Sequence, residues 1–104
     1  MAGGRPELTV VVPTYNERDN VEPLLGRLRR ALEGLDYEVL FIDDGSPDGT
    51  ADVVRQEMAR DPRVRLIVRR GERGLASAIL RGIREARGRY VAVMDADLQH
   101  PPEV

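Results

Sequence analysis

Short β-branched runs and longer amphipathic stretches alternate along the chain. The short runs are apolar and predict buried strands over residues 8–12, 37–42, 64–68 and 90–94. Between them, apolar residues at helical spacing predict helices over residues 21–32, 50–59 and 75–86. Because strands that alternate with helices are joined by crossovers, this order predicts an α/β fold with a mostly parallel sheet.

Capping and turn residues mark the ends of the predicted helices. Asn20 can cap the first helix, Pro23 is tolerated in its first turn, and Gly34 can end it. Met58 belongs to the apolar face of the second helix, and Gly88 ends the third. Pro13 is expected to end the first strand.

The composition of the chain excludes several classes of chemistry but says little about its fold. The chain has 104 residues, which is enough for one domain at most, and its net charge of −2 does not favour nucleic acid or an anionic membrane. It has no cysteine, so disulfides, thiolate metal sites and cysteine nucleophiles are excluded. All 16 of its basic residues are arginine, which excludes the lysine of a phosphate-binding P-loop and Schiff-base chemistry.

Polar clusters follow three of the four predicted strands, at residues 13–17, 43–48 and 95–99. In a parallel sheet of this kind, ligands bind beyond the carboxyl ends of the strands. The three clusters are therefore expected to meet at one edge of the sheet and form a ligand site.

The cluster after the fourth strand predicts a metal site. Asp95, Asp97 and Gln99 alternate in sequence, so in extended backbone their side chains point the same way. Oxygen ligands of this kind suit Mg²⁺ or Mn²⁺. Such an ion would neutralise the charge that develops on a departing diphosphate. A solvated turn or a helix cap is the alternative interpretation.

The other two clusters predict contacts to a nucleoside. Asp44 can accept hydrogen bonds from ribose hydroxyls or a base N–H, while Asp48 is expected to serve the turn or cap the next helix. Tyr15 can stack on a base or sugar, and Glu17 can accept from a base edge. A calcium-binding loop is a weaker interpretation of residues 44–49, because Arg55 stands where that loop needs a glutamate.

Basic residues follow the third strand. Arg69, Arg70 and Arg73 could meet a diphosphate, but a solvated charge run is the favoured interpretation. His100 is the only histidine, and we assign it no role.

Four motifs in this order resemble glycosyltransferase family 2, and within it the dolichyl- or polyprenyl-phosphate mannosyltransferases. They are VVPTYNE at residues 11–17, IDDGSPDGT at 42–50, RGL at 73–75 and MDADLQHPPE at 94–103. The resemblance implies a GT-A (Rossmann-like) three-layer sandwich, with a flexible N-terminus over residues 1–7. Residues 8–104 would be the N-terminal, nucleotide-sugar-binding part of a domain whose C-terminal part is missing here.

The same resemblance implies an activity and a set of site residues. The reaction would be an inverting transfer of mannose from GDP-mannose to a polyprenyl (dolichyl) phosphate. The nucleotide sugar would be held by Pro13, Tyr15, Glu17, Ile42, Asp44, Asp95 and Ala96. Asp95 and Asp97 would be the catalytic residues, and with Gln99 they would hold Mg²⁺ or Mn²⁺. The protein would be cytoplasmic, peripheral on a membrane surface that it reaches through the missing part.

Several alternatives stay open at this stage. A related family 2 enzyme could use a UDP-sugar, and a truncated module could bind nucleotide and metal without turnover. A phosphotransferase with Asp95 as nucleophile is disfavoured, because that chemistry typically has Thr or Val where Leu98 stands and places the motif on the first strand, not the fourth. A dinucleotide-binding fold is disfavoured because residues 13–17 lack its glycines.

Overall fold

The computed structural model describes residues 4–96 of the chain. All four predicted strands and all three predicted helices are present. In chain order they are β1 (Leu8–Thr14), α1 (Val21–Ala31), β2 (Tyr37–Asp43), α2 (Thr50–Arg60), β3 (Val64–Val68), α3 (Leu75–Glu85) and β4 (Tyr90–Val93). A single 3₁₀ turn, Arg18–Asn20, leads into α1.

The four strands form one parallel sheet in the order β3-β2-β1-β4. Val11 of β1 lies beside Leu40 of β2 on one side and Val93 of β4 on the other. The chain thus builds outward from β1 through β2 to β3 and then returns to add β4 on the opposite side. This reversal makes the boundary between β1 and β4 the topological switch point, where ligands of such sheets bind.

Alternate residues of the two central strands supply two separate cores. Val10 and Val12 of β1, with Phe41 of β2, face the layer that contains α1 and α2. Val11 and Leu40 face α3 on the other side of the sheet. Helices therefore cover both faces, and the predicted three-layer α/β arrangement is confirmed.

Helix α1 contributes most of the larger core from one apolar stripe. Val21, Leu24, Leu25 and Leu28 recur at helical spacing, and each is at most 5% exposed. Burying a side chain of this size stabilises the fold by about 1.5–3 kcal/mol. This stripe fixes α1 against the sheet, and α1 in turn supports the loop that leaves β1.

Glycine allows α3 and the loop after it to approach β1 closely. A Cβ added to Gly82 would lie 2.3 Å from Cγ1 of Val11, and one added to Gly88 would lie 2.5 Å from the backbone nitrogen of Thr9. Real Cβ atoms do not come this close to such neighbours. Gly88 was predicted to end α3, but the helix ends at Glu85 and Gly88 instead packs on β1.

A buried carboxylate joins β1, β2 and β3 at the end of the sheet away from the polar clusters. Glu38 accepts hydrogen bonds from Thr9 Oγ1 at 2.6 Å, from the Arg87 N–H at 2.8 Å and from Arg65 Nη1 at 3.1 Å. Burial acts to raise the pKa of Glu38, but the bonds from Thr9, Arg87 and Arg65 together bring it below its ordinary 4.5. The carboxylate is therefore ionised at neutral pH and holds three strands together.

A second ion cluster joins α1 to α2. Arg29 of α1 lies 3.2 Å from Glu57 and 3.1 Å from Asp61, whose side chains are only 6% and 9% exposed. Glu57 takes the inward position of α2, and Met58, predicted to face the core, is 38% exposed. A charged residue replaces an apolar one in this layer because an arginine from the facing helix compensates it.

Some predicted boundaries were wrong for identifiable reasons. β1 continues through Pro13 to Thr14, because the missing N–H of Pro13 falls on the β4 side, where β4 has already ended. Asn20 precedes α1 but makes no side-chain cap; its amide donates to Glu17 at 2.7 Å. Gly34 lies beyond the end of α1 at Ala31 and takes a left-handed turn with φ of 87°.

The described part of the N-terminal segment hydrogen-bonds to the rest of the chain. Within the segment 1–7, the N–H of Glu7 donates to Asp36 at 2.8 Å, and the carbonyl of Pro6 accepts from Arg89 at 3.1 Å. These bonds lead the chain directly into β1. Across residues 4–96, no helix combines the length and the apolar character that crossing a membrane requires.

Candidate functional site

Residues from the carboxyl ends of β1, β2 and β4 meet around one cavity of about 480 Å³ at the switch point. The beginning of α3 closes its remaining side. The lining residues are Pro13, Thr14, Tyr15, Glu17, Asp44, Arg73, Gly74, Leu75, Ala78, Ile79, Val93 and Asp95. The sequence expectation that three polar clusters converge at one edge of the sheet is confirmed for the described residues.

The loop after β1 is tied to the loop after β2. The N–H of Asn16 donates to Ser46 Oγ at 2.9 Å, and the N–H of Glu17 donates to Thr50 Oγ1 at 3.1 Å. Asn16 adopts a left-handed φ of 56°, which asparagine tolerates better than most residues. These contacts turn the chain sharply out of β1 and leave Tyr15 and Glu17 on the cavity wall.

Asp43 organises this junction from inside the protein. Its side chain is buried and accepts from Thr14 Oγ1 at 2.7 Å, from the Ser46 N–H at 2.9 Å and from Ser46 Oγ at 2.6 Å. Because these donors come from the last residue of β1 and from the loop after β2, Asp43 fixes these two segments relative to each other. It therefore shapes the cavity without lining it.

Asp48 serves the turn before α2, as predicted. It accepts from the Thr50 N–H at 2.9 Å, from the Thr50 hydroxyl, and from the Arg18 N–H at 3.3 Å. Burial acts to raise the pKa of Asp48, but the bonds from Thr50 and Arg18 bring it below its ordinary 3.8. The first N–H of α2 thereby gains an acceptor.

Asp44 lies on the cavity wall in a bidentate ion pair with Arg69. Arg69 Nε lies 2.7 Å from Asp44 Oδ1, and Arg69 Nη2 lies 2.9 Å from Asp44 Oδ2. The prediction that Arg69 belongs to a solvated charge run was wrong, since its side chain is only 2% exposed. The hydrogen bond to Asp44 outweighs burial and raises the pKa of Arg69 above its ordinary value.

Arg73 contacts the face of Tyr15. Its guanidinium carbon lies 4.3 Å from the ring centroid, and Nη2 donates to the Tyr15 hydroxyl. Both residues are exposed and both line the cavity. Tyr15 is thus at the cavity as predicted, with a cation on its ring that the sequence interpretation did not anticipate.

The remaining predicted residues lie in different places. Asp95 lines the cavity beside the end of β4, where a carboxylate oxygen fits a hard cation such as Mg²⁺ or Mn²⁺. Ile42 and Ala96 are fully buried in the two cores and do not line the cavity. Asp97 and Gln99 lie outside the described residues, so their predicted metal contacts stay predictions.

The acidic side chains of the described residues do not form a metal centre of their own. Within residues 4–96, no three histidine, cysteine, aspartate or glutamate side chains are grouped closely enough to hold an ion. Asp95 is the part of the predicted ligand set that the structure describes, and its location at the cavity fits that set. The binding roles assigned to Pro13, Tyr15, Glu17 and Asp44 also stay predictions, now with a common location.

Sequence reasoning missed the wall that α3 provides. Gly74, Leu75, Ala78 and Ile79 line the cavity, and Leu75 is 66% exposed there. The available signal was the position of the RGL motif directly before a helix that follows β3. Because β3 is at the far edge of the sheet, its loop must cross over β2 to reach the switch point, and that path is not visible in one sequence.

The fold and the crevice place the chain among doubly wound α/β domains, whose ligands bind where the strand order reverses. Its sequence matches glycosyl transferase family 2 over residues 9–104. The chain belongs to that family.

Curated relatives narrow the resemblance. The chain is 50% identical over 98 residues to a dolichol-phosphate mannosyltransferase of Pyrococcus furiosus, covering 94% of this chain and 28% of that protein. It is 46% identical over 100 residues to the dolichol-phosphate mannosyltransferase of Saccharomyces cerevisiae, covering 93% and 38% respectively. The chain therefore spans about a third of the length of these relatives.

Solved structures support the same fold. A mannosyltransferase from Pyrobaculum calidifontis, solved with GDP-Man and Mn²⁺, superposes with a TM-score of 0.73 at 34% identity, covering 91% of this chain and 28% of that one. Glucosyl-3-phosphoglycerate synthase from Mycobacterium tuberculosis, solved with Mn²⁺, UDP and glucosyl-3-phosphoglycerate, gives 0.73 at 25% identity, covering 94% and 36%. The predicted GT-A architecture is confirmed.

Proposed function

We propose that the chain is the nucleotide-sugar-binding part of an inverting glycosyltransferase that moves mannose from GDP-mannose to a polyprenyl (dolichyl) phosphate. The observation that carries the proposal is the cavity at the switch point, where Tyr15, Glu17, Asp44 and Asp95 are brought together from three strands. The identity of 45–50% to dolichol-phosphate mannosyltransferases supports the choice of donor and acceptor.

The cavity has the mixed character that a nucleotide needs. Leu75, Ile79 and Val93 form an apolar wall against which a planar base can lie, and Tyr15 adds an aromatic surface. Asp44 and Glu17 supply acceptors for the hydroxyls and N–H groups of a nucleoside. Arg73 supplies a cation at the same rim. Its guanidinium would pair with a diphosphate after moving off the ring of Tyr15.

A divalent cation would bind where Asp95 lines the cavity. Asp95 would hold Mg²⁺ or Mn²⁺ together with Asp97 and Gln99, and the bound ion would neutralise the charge on the departing diphosphate. The Pyrobaculum neighbour was solved with GDP-Man and Mn²⁺, which supports this assignment. Asp95 and Asp97 are in this sense the catalytic residues we propose.

A phosphate acceptor removes the need for a strong general base. A lipid phosphate is already ionised at neutral pH, so its oxygen can attack the anomeric carbon without first losing a proton. Attack from the face opposite the diphosphate gives inversion. We further propose that the protein is cytoplasmic and acts at a membrane surface.

Calorimetry with GDP tests the donor site. We expect binding in the presence of Mn²⁺, with at least tenfold weaker binding after chelation or in an Asp97→Ala variant. Arg27→Ala on the exposed side of α1 is the matched control and should bind normally. Binding that ignores both the metal and the Asp97 substitution would contradict the proposal.

A UDP-sugar is the second candidate donor. The Mycobacterium tuberculosis neighbour was solved with UDP and superposes as well as the mannosyltransferase does. A full-length protein that uses UDP-glucose as well as GDP-mannose with a polyprenyl phosphate would favour this candidate. A full-length protein that binds nucleotide and metal but transfers neither sugar would instead be a binding module.

A further inference from the structure

The carboxylate of Asp44 has few acceptor positions left for a ligand. Oδ1 accepts from Arg69 Nε at 2.7 Å, and Oδ2 accepts from Arg69 Nη2 at 2.9 Å and from the Gly74 N–H at 3.2 Å. Each carboxylate oxygen has about two acceptor directions. Oδ2 is therefore saturated, and one direction on Oδ1 remains.

Arg69 has no donor left to give. Nε donates to Asp44, Nη1 donates to Glu72 at 3.2 Å and to Ser77 Oγ at 3.0 Å, and Nη2 donates to Asp44 and to the Gly74 carbonyl at 3.1 Å. These five bonds use the five N–H groups of a guanidinium. Arg69 therefore cannot contact a nucleotide without breaking a bond that it already makes.

The backbone fixes Arg69 from the other end. Its N–H donates to the Asp43 carbonyl at 2.8 Å, which completes the last pair of β2 and β3, Asp43 with Val68. The guanidinium then crosses from the end of β3 to the first turn of α3, where Ser77 and Gly74 receive it. One buried side chain thus joins β2, β3 and α3 behind the cavity wall.

We propose that Arg69 is a positioning residue of the nucleotide site, which orients Asp44 so that its single remaining acceptor on Oδ1 is offered to the nucleoside. The inference rests on the proposed function, in which Asp44 contacts the nucleoside. It assigns Arg69 no contact with the ligand and makes its effect depend entirely on Asp44.

Lysine at position 69 separates charge from geometry. Its ammonium keeps the positive charge but has a single nitrogen, which cannot meet both oxygens of Asp44 side by side and also reach Ser77 and Gly74. We expect Arg69→Lys to weaken GDP binding in Mn²⁺ about tenfold or more. Arg70→Lys is the matched control, because it makes the same substitution at the adjacent exposed arginine, and this variant should bind GDP as the parent does.

A double-mutant cycle distinguishes positioning from a general loss of structure. In an Asp44→Ala background the group that Arg69 orients is gone, so adding Arg69→Lys should change GDP affinity less than twofold. A further tenfold loss in that background would overturn the inference, because Arg69 would then act by another route. Thermal unfolding of every variant, followed by circular dichroism, shows whether each one is folded.

Ser77→Ala keeps the test decisive if the position 69 variants do not fold. Ser77 is exposed and lies outside the cavity lining. Its replacement by alanine removes only one of the five hydrogen bonds that the Arg69 guanidinium donates. We expect GDP affinity to fall two- to fivefold, with no change when Asp44 is already alanine. Unchanged affinity in Ser77→Ala would then overturn the inference. A parent chain that binds neither GDP nor UDP would instead overturn the proposed function, and with it this inference.

Discussion

Replacing Gly82 with alanine tests how closely α3 packs on the sheet. The added methyl carbon would lie 2.3 Å from Val11 Cγ1 and 3.1 Å from Val11 Cγ2. Val11 is fully buried in the central strand and β-branched, so its side chain has little freedom to rotate away. The helix itself must therefore move outward.

Two effects of opposite sign set the magnitude. Alanine gains about 1 kcal/mol over glycine in a helix interior, whereas overpacking a tight core costs about 1–3 kcal/mol. Gly26→Ala in α1 is the matched control, because its new methyl would find only Arg30 Nη1 at an ordinary 3.7 Å. We expect Gly26→Ala to stabilise the chain and Gly82→Ala to be less stable than that control by about 1–3 kcal/mol.

Urea unfolding followed by circular dichroism measures the free energy of unfolding of each single variant and of the parent. The Val11→Ala background supplies the internal check, because it removes the two methyl groups that the new atom would meet. In that background Gly82→Ala should recover the helix gain and become as favourable as Gly26→Ala. The reasoning is refuted if Gly82→Ala stabilises the parent chain as much as the control does.

Three further predictions concern the buried charges. Glu38→Gln should lower the free energy of unfolding by about 1–3 kcal/mol at pH 7. Because folding lowers the pKa of Glu38, this difference between variant and parent should shrink as the pH falls below the ordinary 4.5. Urea unfolding of both proteins at pH 7 and pH 3.5 measures it. Asp43→Ala should loosen both loops that it joins and weaken GDP binding about tenfold by calorimetry, since it removes three hydrogen bonds behind the cavity; normal binding would contradict its role as organiser. Arg29→Ala should cost about 1–2 kcal/mol because two buried carboxylates lose a partner, whereas Arg55→Ala, in an exposed pair, should cost less than about 0.5 kcal/mol in the same unfolding assay.

Hydrophobic periodicity, together with turn and capping residues, was enough to predict the elements and the parallel sheet, whereas the three-layer arrangement followed from the resemblance to glycosyltransferase family 2. The apolar runs identified every strand, because a parallel sheet covered on both faces leaves few polar positions in its strands. Val10 and Val11 face opposite cores, which a continuous run predicts without showing which helix covers which face. The boundary errors involved Pro13 and Gly34, which act through hydrogen bonding and turn geometry and not through hydrophobicity. Inside α2, Met58 was placed on the wrong face because Glu57 takes the inward position.

The candidate site was predicted in its location and less well in its internal contacts. Tyr15, Asp44 and Asp95 follow strand ends, so the topology brings them together once the sheet is parallel. Arg69 could not be assigned in the same way, because an arginine after a strand looks solvated unless the carboxylate that pairs with it is known to be adjacent. Asp44 and Arg69 are 25 residues apart, and only the register of β2 against β3 joins them.

Pro13 has a consequence for the gap between β1 and β4. By register, an N–H at position 13 would donate to the carbonyl of Met94 and extend the hydrogen bonding between the two strands. The pyrrolidine ring removes that donor, so the backbone pairing of β1 with β4 ends after Val11 and Val93. The opening between the ends of β1 and β4 therefore follows from the proline itself, and a ligand that enters there breaks no backbone hydrogen bond at position 13.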